Sequence, residues 1–439
     1  MSEQSNKDMS KHFYRASAAD FMKIPGSPVA YWVSDKLREV FAENPLISEI
    51  AEPKQGLATG NNDIYLRYWF EVSLNNVKFD CVSQDESANA PEKWYPCQKG
   101  GGFRRWYGNL SFLVNWQHGG KDLKAFKPNS VIRNPQYYFR EGGTWSSLSS
   151  GGFSMRYSPK GFIFESKGSI CFTNQPKHLP KLISFSNSKV IDSCLLALSP
   201  TLDYHEGPYG RVPFVDVPDN GIGERFKLLV TIAKTDWDSF ELSWEFKENP
   251  LVQEYERKES KSLASSYSNW LCSNQKTILL MQQLEEENNR IFIDAYGLQD
   301  EHTPEVSTEE ITLTVNTRYR YGDKLSDEDI KKRFLSDSIS ELISYSIGCM
   351  MGRYSLDKPG LILASQGETL QDYLAQIPSP RFMPDDDAIL PLTDQEWFTD
   401  DVTNRFREFV KVVWGEDTLQ ENLEFVAESL CLHAIKPKK

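Results

Sequence analysis

Residues 99–109 read KGGGFRRWYGN and gather side chains suited to gripping a polyanion. Arg104 and Arg105 can each fork two N–H donors onto a phosphate or onto guanine O6 and N7. Three glycines let the backbone approach a ligand closely or turn sharply. Trp106 and Tyr107 offer rings that stack or wedge, and Lys99 adds a charge at the head of the stretch. Residues 146–162, SSLSSGGFSMRYSPKGF, repeat the recipe with small hydroxyls that include Ser154, two glycines, Arg156, Tyr157 and Lys160. Serine hydroxyls and backbone amides commonly position phosphates. The competing reading of both stretches is a glycine-rich hairpin tip with solvated cations.

Between them lies SVIRNPQYYFREG, residues 130–142. In a catalytic Asn-Pro-Pro-Tyr, the Asn oxygen and the first Pro carbonyl accept hydrogen bonds from the amino group of a flipped adenine. The aromatic ring stacks on that base. Gln136 stands here in place of the second proline, so the backbone is not held in the same pose. A methyl donor also needs a strand, a glycine-rich turn and a helix, with an acidic ribose ligand roughly 20 residues on. Residues 1–130 show no such unit, and the glycines of GLATGNND open a strand. No catalytic residue is assigned. The stretch reads as a strand and turn in which Arg133 and Arg140 flank aromatics that pack or stack.

Other chemistries find little support. Seven scattered cysteines, never in a CxxC pair, argue against zinc and against a disulfide framework. The histidines sit in unrelated contexts, and no GxxxxGK[ST] occurs. No metal ligands are assigned. No apolar run reaches the ~18–20 residues of a membrane span, and the polar N-terminus lacks a signal-peptide core. A cytoplasmic location and no membrane partner are expected.

Charge is unevenly spread. The chain carries −13 over 439 residues, yet residues 91–170 hold twelve Lys/Arg against four acids, or +8. The remainder therefore carries −21. A basic, aromatic-rich block in an acidic chain suggests a localised polyanion-binding face. The alternative is solvated strand faces with lysines guarding edges.

The elements that must position these residues change along the chain. SPVAYWVSDKLREVFAENP (27–45) has helical apolar spacing from a Ser-Pro start to Pro45, within a helical connecting segment, 1–50. Residues 51–185 alternate short β-like runs, DIYLRYWFEVSL, LSFLVNW, GFSMRYS, GFIFES and SICFT. Turn signals separate them at 75–76, 100–102, 119–120, 142–143 and 151–152. KLISFSNSKVIDSCLLALSP reads as a strand or short helix leading into a helix, with Asn187/Ser188 as cap. From about 223 the spacing is helical, and QLEEENNRIF reads as a solvated charged face. The expected fold class is α+β, with a β-rich domain at 51–220, a helical region at 221–380, and an acidic loop plus C-terminal helices at 381–439.

Several stretches resemble one family. GLATGNNDIYLRYWFEV (56–72), KWYPCQKGGGFRRWYGN, NWQHGGKDLKAF, YYFREGGTWSSLSSGGFSMRYSPKGFIFESKGSICF, ISYSIGCMMGRYSLDKPGLI and ILPLTDQEWFTDDVTNRFREFV are similar to the PglX family. These are the adenine-specific DNA methyltransferases of BREX phage-defence systems. The resemblance runs from about residue 20 to the end. The family's catalytic part, with its S-adenosylmethionine motif and Asn-Pro-Pro-Tyr, is not matched, so the chain looks like the recognition and C-terminal helical portion, with 51–220 as the DNA target-recognition domain. The resemblance implies double-stranded DNA as partner, a separate catalytic methyltransferase domain, and possible docking of other BREX proteins. S-adenosyl-L-methionine would be the cofactor of the complete enzyme, with none in this chain. On that basis Lys99, Arg104, Arg105 and Trp106 are expected first to touch DNA, followed by Tyr107, Arg133, Arg140, Ser154, Arg156, Tyr157 and Lys160. Two rivals are a complete methyltransferase using Asn-Pro-Gln-Tyr and a protein-interaction module.

Overall fold

The strands are short because glycine, proline and other turn residues bound every β-like run. The computed structural model describes Tyr14 and residues 17–257, 260–395 and 397–434. The opening residues of the 1–50 segment and the last five residues lie outside the described residues. Among those described, eight strands form two four-stranded sheets. One sheet has the order β1 (Ala51–Lys54), β8 (Ile170–Thr173), β5 (Gly142–Trp145), β6 (Met155–Ser158) and is antiparallel. The other runs β2 (Leu66–Tyr68), β4 (Phe112–Asn115), β3 (Trp94–Gln98), β7 (Ile163–Phe164). Only its β3–β7 pair is parallel. The chain is thus α+β, with strands in its first half and helices dominating the second.

Nine of the helices organise the rest: α1 (Asp35–Glu43), α2 (Gln117–Ala125), α3 (His178–Ser186), α4 (Lys189–Leu198), α5 (Ile222–Asp238), α6 (Leu263–Tyr296), α7 (Asp327–Met350), α8 (Val402–Trp414) and α9 (Leu419–Ala434). The longest, α6, spans 34 residues, about 50 Å at 1.5 Å per residue. Ser262 caps it by accepting from Ser265 N, and Gly297 ends it in a left-handed conformation at φ 64°. Helix α3 packs on β5, β6 and β8, while α6 contacts α4 and α5. One apolar core joins Trp106, Trp145 and Met155 of the sheet half to Phe226, Phe292, Phe334 and Trp414 of the helical half. A second core lies against the other sheet and buries Tyr95, Val114, Trp116, Tyr138, Phe139 and Phe164.

Several expectations shift. Helix α1 starts at Asp35 with Ser34 as its cap, not at Ser27, whose φ is +49°. DIYLRYWFEVSL is one helical turn, a three-residue strand and a 3-10 turn. GLATGNND therefore enters a helical turn before its strand. Gly142 and Gly143 lie within β5 rather than a turn. A Cβ on Gly142 would sit 2.5 Å from Ile170 Cγ2, and one on Gly143 would sit 2.4 Å from Met155 Sδ. Close packing explains both glycines. KLISFSNSKVIDSCLLALSP forms two helices. Asn187 is the C-cap of α3 and Ser188 the N-cap of α4, as expected, though no side chain caps α4. The Asn187 side-chain amide instead accepts from Met155 N and donates to Met155 O, each at 2.9 Å.

Candidate nucleic-acid interface

The first residues expected to meet DNA are inside the protein. Arg104 and Arg105 are 6% and 9% exposed, Trp106 and Arg156 are fully buried, and Tyr107 and Ser154 are buried too. Arg104 Nη1 lies 3.3 Å from Asp236 Oδ2, and its Nη2 donates to Thr314 Oγ1 at 2.8 Å. Arg105 Nη1 donates to Glu285 Oε2 at 2.7 Å, and its backbone N–H to Thr312 Oγ1 at 3.0 Å. Glu285 takes Trp106 Nε1–H on its other oxygen, also at 2.7 Å. Burial opposes the Arg105 charge, but Glu285 and Glu310 outweigh it and hold the guanidinium above its usual pKa. The two arginines therefore fasten the glycine-rich loop to α5 and α6. They are neither free phosphate forks nor solvated hairpin cations.

That network also corrects the reading of QLEEENNRIF. Glu285, Asn288 and Asn289 are buried on α6 rather than solvated. Asn288 Nδ2 donates to Ser184 O at 2.8 Å. Asn289 accepts from Lys189 N and donates to Pro304 O. Among the described residues Arg156 pairs with no carboxylate: its donors reach Arg104 O and Ser146 Oγ at 3.3 and 3.4 Å. Burial, with the Arg104 charge nearby, lowers its pKa to about 10.

The Asn-Pro-Gln-Tyr stretch is occupied by its own fold. Asn134 is left-handed at φ 50° and opens a 3-10 turn over Pro135–Tyr137. Its amide donates to Gln55 O, and the Pro135 carbonyl accepts from Gln84 Nε2 at 2.9 Å. The carbonyl that would take an adenine amino group is thus engaged. Tyr137 hydroxyl bonds Glu52. Tyr138 and Phe139 are core residues. The preceding strand is a single bridge, Ala58 to Val131.

The remaining candidates reach solvent. Lys160 and Arg140 are exposed, and Lys99, Arg133 and Tyr157 are half-buried. Arg140 lies over the Tyr137 and Phe172 rings at 5.1 and 5.3 Å. Tyr157 hydroxyl donates to Glu141 at 2.8 Å. Lys99 Nζ sits 5.3 Å from the Phe112 ring centre. Beyond Phe112 come two rings that sequence reasoning passed over, Tyr68 and Phe70, 40% and 47% exposed. Tyr68 stacks on Phe70 at 5.2 Å and 5°, and lies 4.5 Å from Phe112. RYWF shows three consecutive aromatics, but only Tyr68 lies in β2; the 3-10 turn that follows buries Trp69 and leaves Tyr68 and Phe70 outside. Arg67, Lys121, Lys124, Lys127 and Lys167 are further cations at least partly in solvent.

No helix among the described residues is long and apolar enough to cross a membrane. No family model matches the chain. It is 42% identical over 424 residues to the adenine-specific methyltransferase BrxX of Escherichia coli O9:H4 (strain HS), covering 96% of this chain and 34% of that protein. It is 35% identical over 429 residues to the adenine-specific methyltransferase PglX of Lacticaseibacillus casei (strain Zhang), covering 95% of this chain and again 34% of the relative. The chain spans about a third of the length of these curated relatives. The resemblance read from its motifs therefore holds, and the chain is homologous, over nearly its whole length, to a one-third portion of the BrxX and PglX adenine-specific methyltransferases.

Proposed function

We propose that this chain is the DNA-engaging portion of a site-specific N6-adenine DNA methyltransferase of a BREX phage-defence system, acting in the cytoplasm. The observation that carries the reading is homology to two proteins named adenine-specific methyltransferases along at least 95% of the chain. Exposed cations beside stacked aromatics and a glycine-rich loop supply the matching surface chemistry. Lys99, Arg133, Arg140 and Lys160 make phosphate contacts, and the buried Arg104, Arg105, Trp106, Ser154 and Arg156 hold the contacting surface in shape. Methyl transfer belongs to a catalytic portion that acts jointly with it and supplies S-adenosyl-L-methionine chemistry. The residues described here do not fit that cofactor. The one parallel strand pair, β3 with β7, is two residues long, and neither strand passes through a glycine-rich turn into a helix.

Fluorescence anisotropy of the purified chain with labelled duplex DNA, titrated across salt, tests this. Binding is expected to weaken with salt. Lys99→Ala and Lys160→Ala should each reduce the slope of log affinity against log salt by about 1. No duplex binding at low salt overturns the proposal. Micromolar S-adenosylmethionine binding by the chain alone, measured by calorimetry, overturns the division of labour.

One observation favours a second reading, a docking role toward other defence proteins. Residues 383–395 and 397–401 form an acidic strap pinned by buried Phe382 and Asp401. Asp401 accepts from Thr393 and Thr403 amides. Between those pins Ile389, Leu392 and Trp397 are 69%, 77% and 71% exposed. Unchanged retention of BREX components by a Leu392→Ser/Trp397→Ser variant of the chain would count against that role.

A further inference from the structure

We propose that Tyr68, Phe70 and Phe112, with Lys99 and the Gly101–Gly102 backbone, form a platform for an unpaired nucleobase and its phosphate. The inference rests on the DNA reading above and adds the feature of DNA that this surface takes.

The platform follows from the register of the second sheet. Tyr68 of β2 pairs with Phe112 of β4, and Phe112 pairs with Cys97 of β3. Paired residues share a face, and Lys99 follows β3 at the spacing that returns it to that face. The chain then turns from β2 into a 3-10 segment that carries Phe70 back over Tyr68. The result is a row of rings that ends in Phe70, with nearly half of that residue in solvent. Parallel rings present a flat apolar face, and every base has a matching face.

The polar side of the platform is also built. Gly101 and Gly102 are exposed, and Gly102 has open space where a side chain would be. Their N–H groups donate to nothing among the described residues. Gly100 and Gly101 adopt φ of +84° and +140°, and Asn109 Nδ2 fixes the loop by donating to Gly102 O at 2.9 Å. Two free amides, two and three residues past Lys99 in the chain, suit a phosphate oxygen. The acid nearest in sequence, Glu71, is exposed, with one oxygen engaged by the Tyr68 amide at 2.7 Å.

A paired base keeps its faces against its neighbours and cannot use such a ring row; an extrahelical base can. The plainer role for these rings is shielding the β2 edge, which predicts no dependence on base pairing. The full chain is titrated against a fully paired duplex and against the same duplex carrying one bulged 2-aminopurine. Anisotropy gives affinity and fluorescence quenching gives stacking. The bulged duplex should bind about tenfold tighter, with its 2-aminopurine quenched. Tyr68→Ser/Phe70→Ser should abolish that preference and the quenching, yet leave the melting temperature unchanged. Phe70→Trp should retain both. Binding of both duplexes without preference, or a preference that survives the double substitution, overturns the platform alone. No binding to either duplex overturns the DNA reading as well. Loss of the melting transition in the double variant would send the test to Phe70→Ser alone, judged by the same preference.

Discussion

At the scale of single residues, Arg104 and Arg105 tie the glycine-rich loop to two distant helices through Asp236 and Glu285. The types at 104–107 are those of a polyanion grip, but nothing local says which way an arginine points. Its partners, Asp236 and Glu285, lie 132 and 180 residues away along the chain. No local pattern reports such a distance. Arg105→Ala should therefore act on stability. It strips Glu285 of a buried counter-charge and should cost about 3–5 kcal/mol in chemical denaturation. Arg105→Met with Glu285→Gln should recover part of that loss, since no buried charge is left unpaired and the new side-chain carbonyl still accepts from Trp106 Nε1–H. A small effect for Arg105→Ala would mean the pair is solvated. Glu248 offers a pH-dependent counterpart. Burial, aided by Glu256, raises its carboxyl to about 7. A raised carboxyl binds its proton more tightly in the folded state, so its contribution is intact below the unfolded value near 4.5 and is lost as pH climbs through 7. Glu248→Gln should accordingly leave stability unchanged at pH 4 and raise it by roughly 1–2 kcal/mol at pH 8. A gain at the acidic end instead would contradict that sign.

At the scale of elements, helices were legible and strands only partly so. The spans of α5, α6, α7 and α8 follow apolar spacing that the chain displays openly, and capping residues such as Ser326 mark their starts. Strand β5 hid because Gly142 and Gly143 signal a turn when read alone. Their reason is tertiary: the neighbouring strand and Met155 come too close for any side chain. Gly143→Ala should destabilise by about 2 kcal/mol or more in thermal melts, through overpacking of a site flanked by Met155 and Ile183. A neutral outcome would show that the Met155 side chain moves aside freely. The aromatic platform hid for a related reason. RYWF reads as core until the 3-10 turn after β2 leaves Tyr68 and Phe70 outside.

At the scale of the whole molecule, the +8 block was real as a count and misleading as a field. Three of its twelve cations are buried, and two of those neutralise acids of the helical half. The outward basic face is narrower than the sum implies, and so is the acidic excess elsewhere. The same contacts bear on the order in which the chain can become a protein. A ribosome delivers residues 104 and 105 long before residues 236 and 285, and until α5 and then α6 emerge the sheet half holds two cations destined for burial without their carboxylates. Its apolar core likewise waits for Phe226 and Phe292. The sheets should mature late, only after the long helix has been synthesised. A chain cut at residue 220 should remain protease-sensitive and lack a cooperative melt, whereas one carried through Tyr321 should gain protection around Trp106. Early protection in the shorter piece would show that the first half matures without its distant partners.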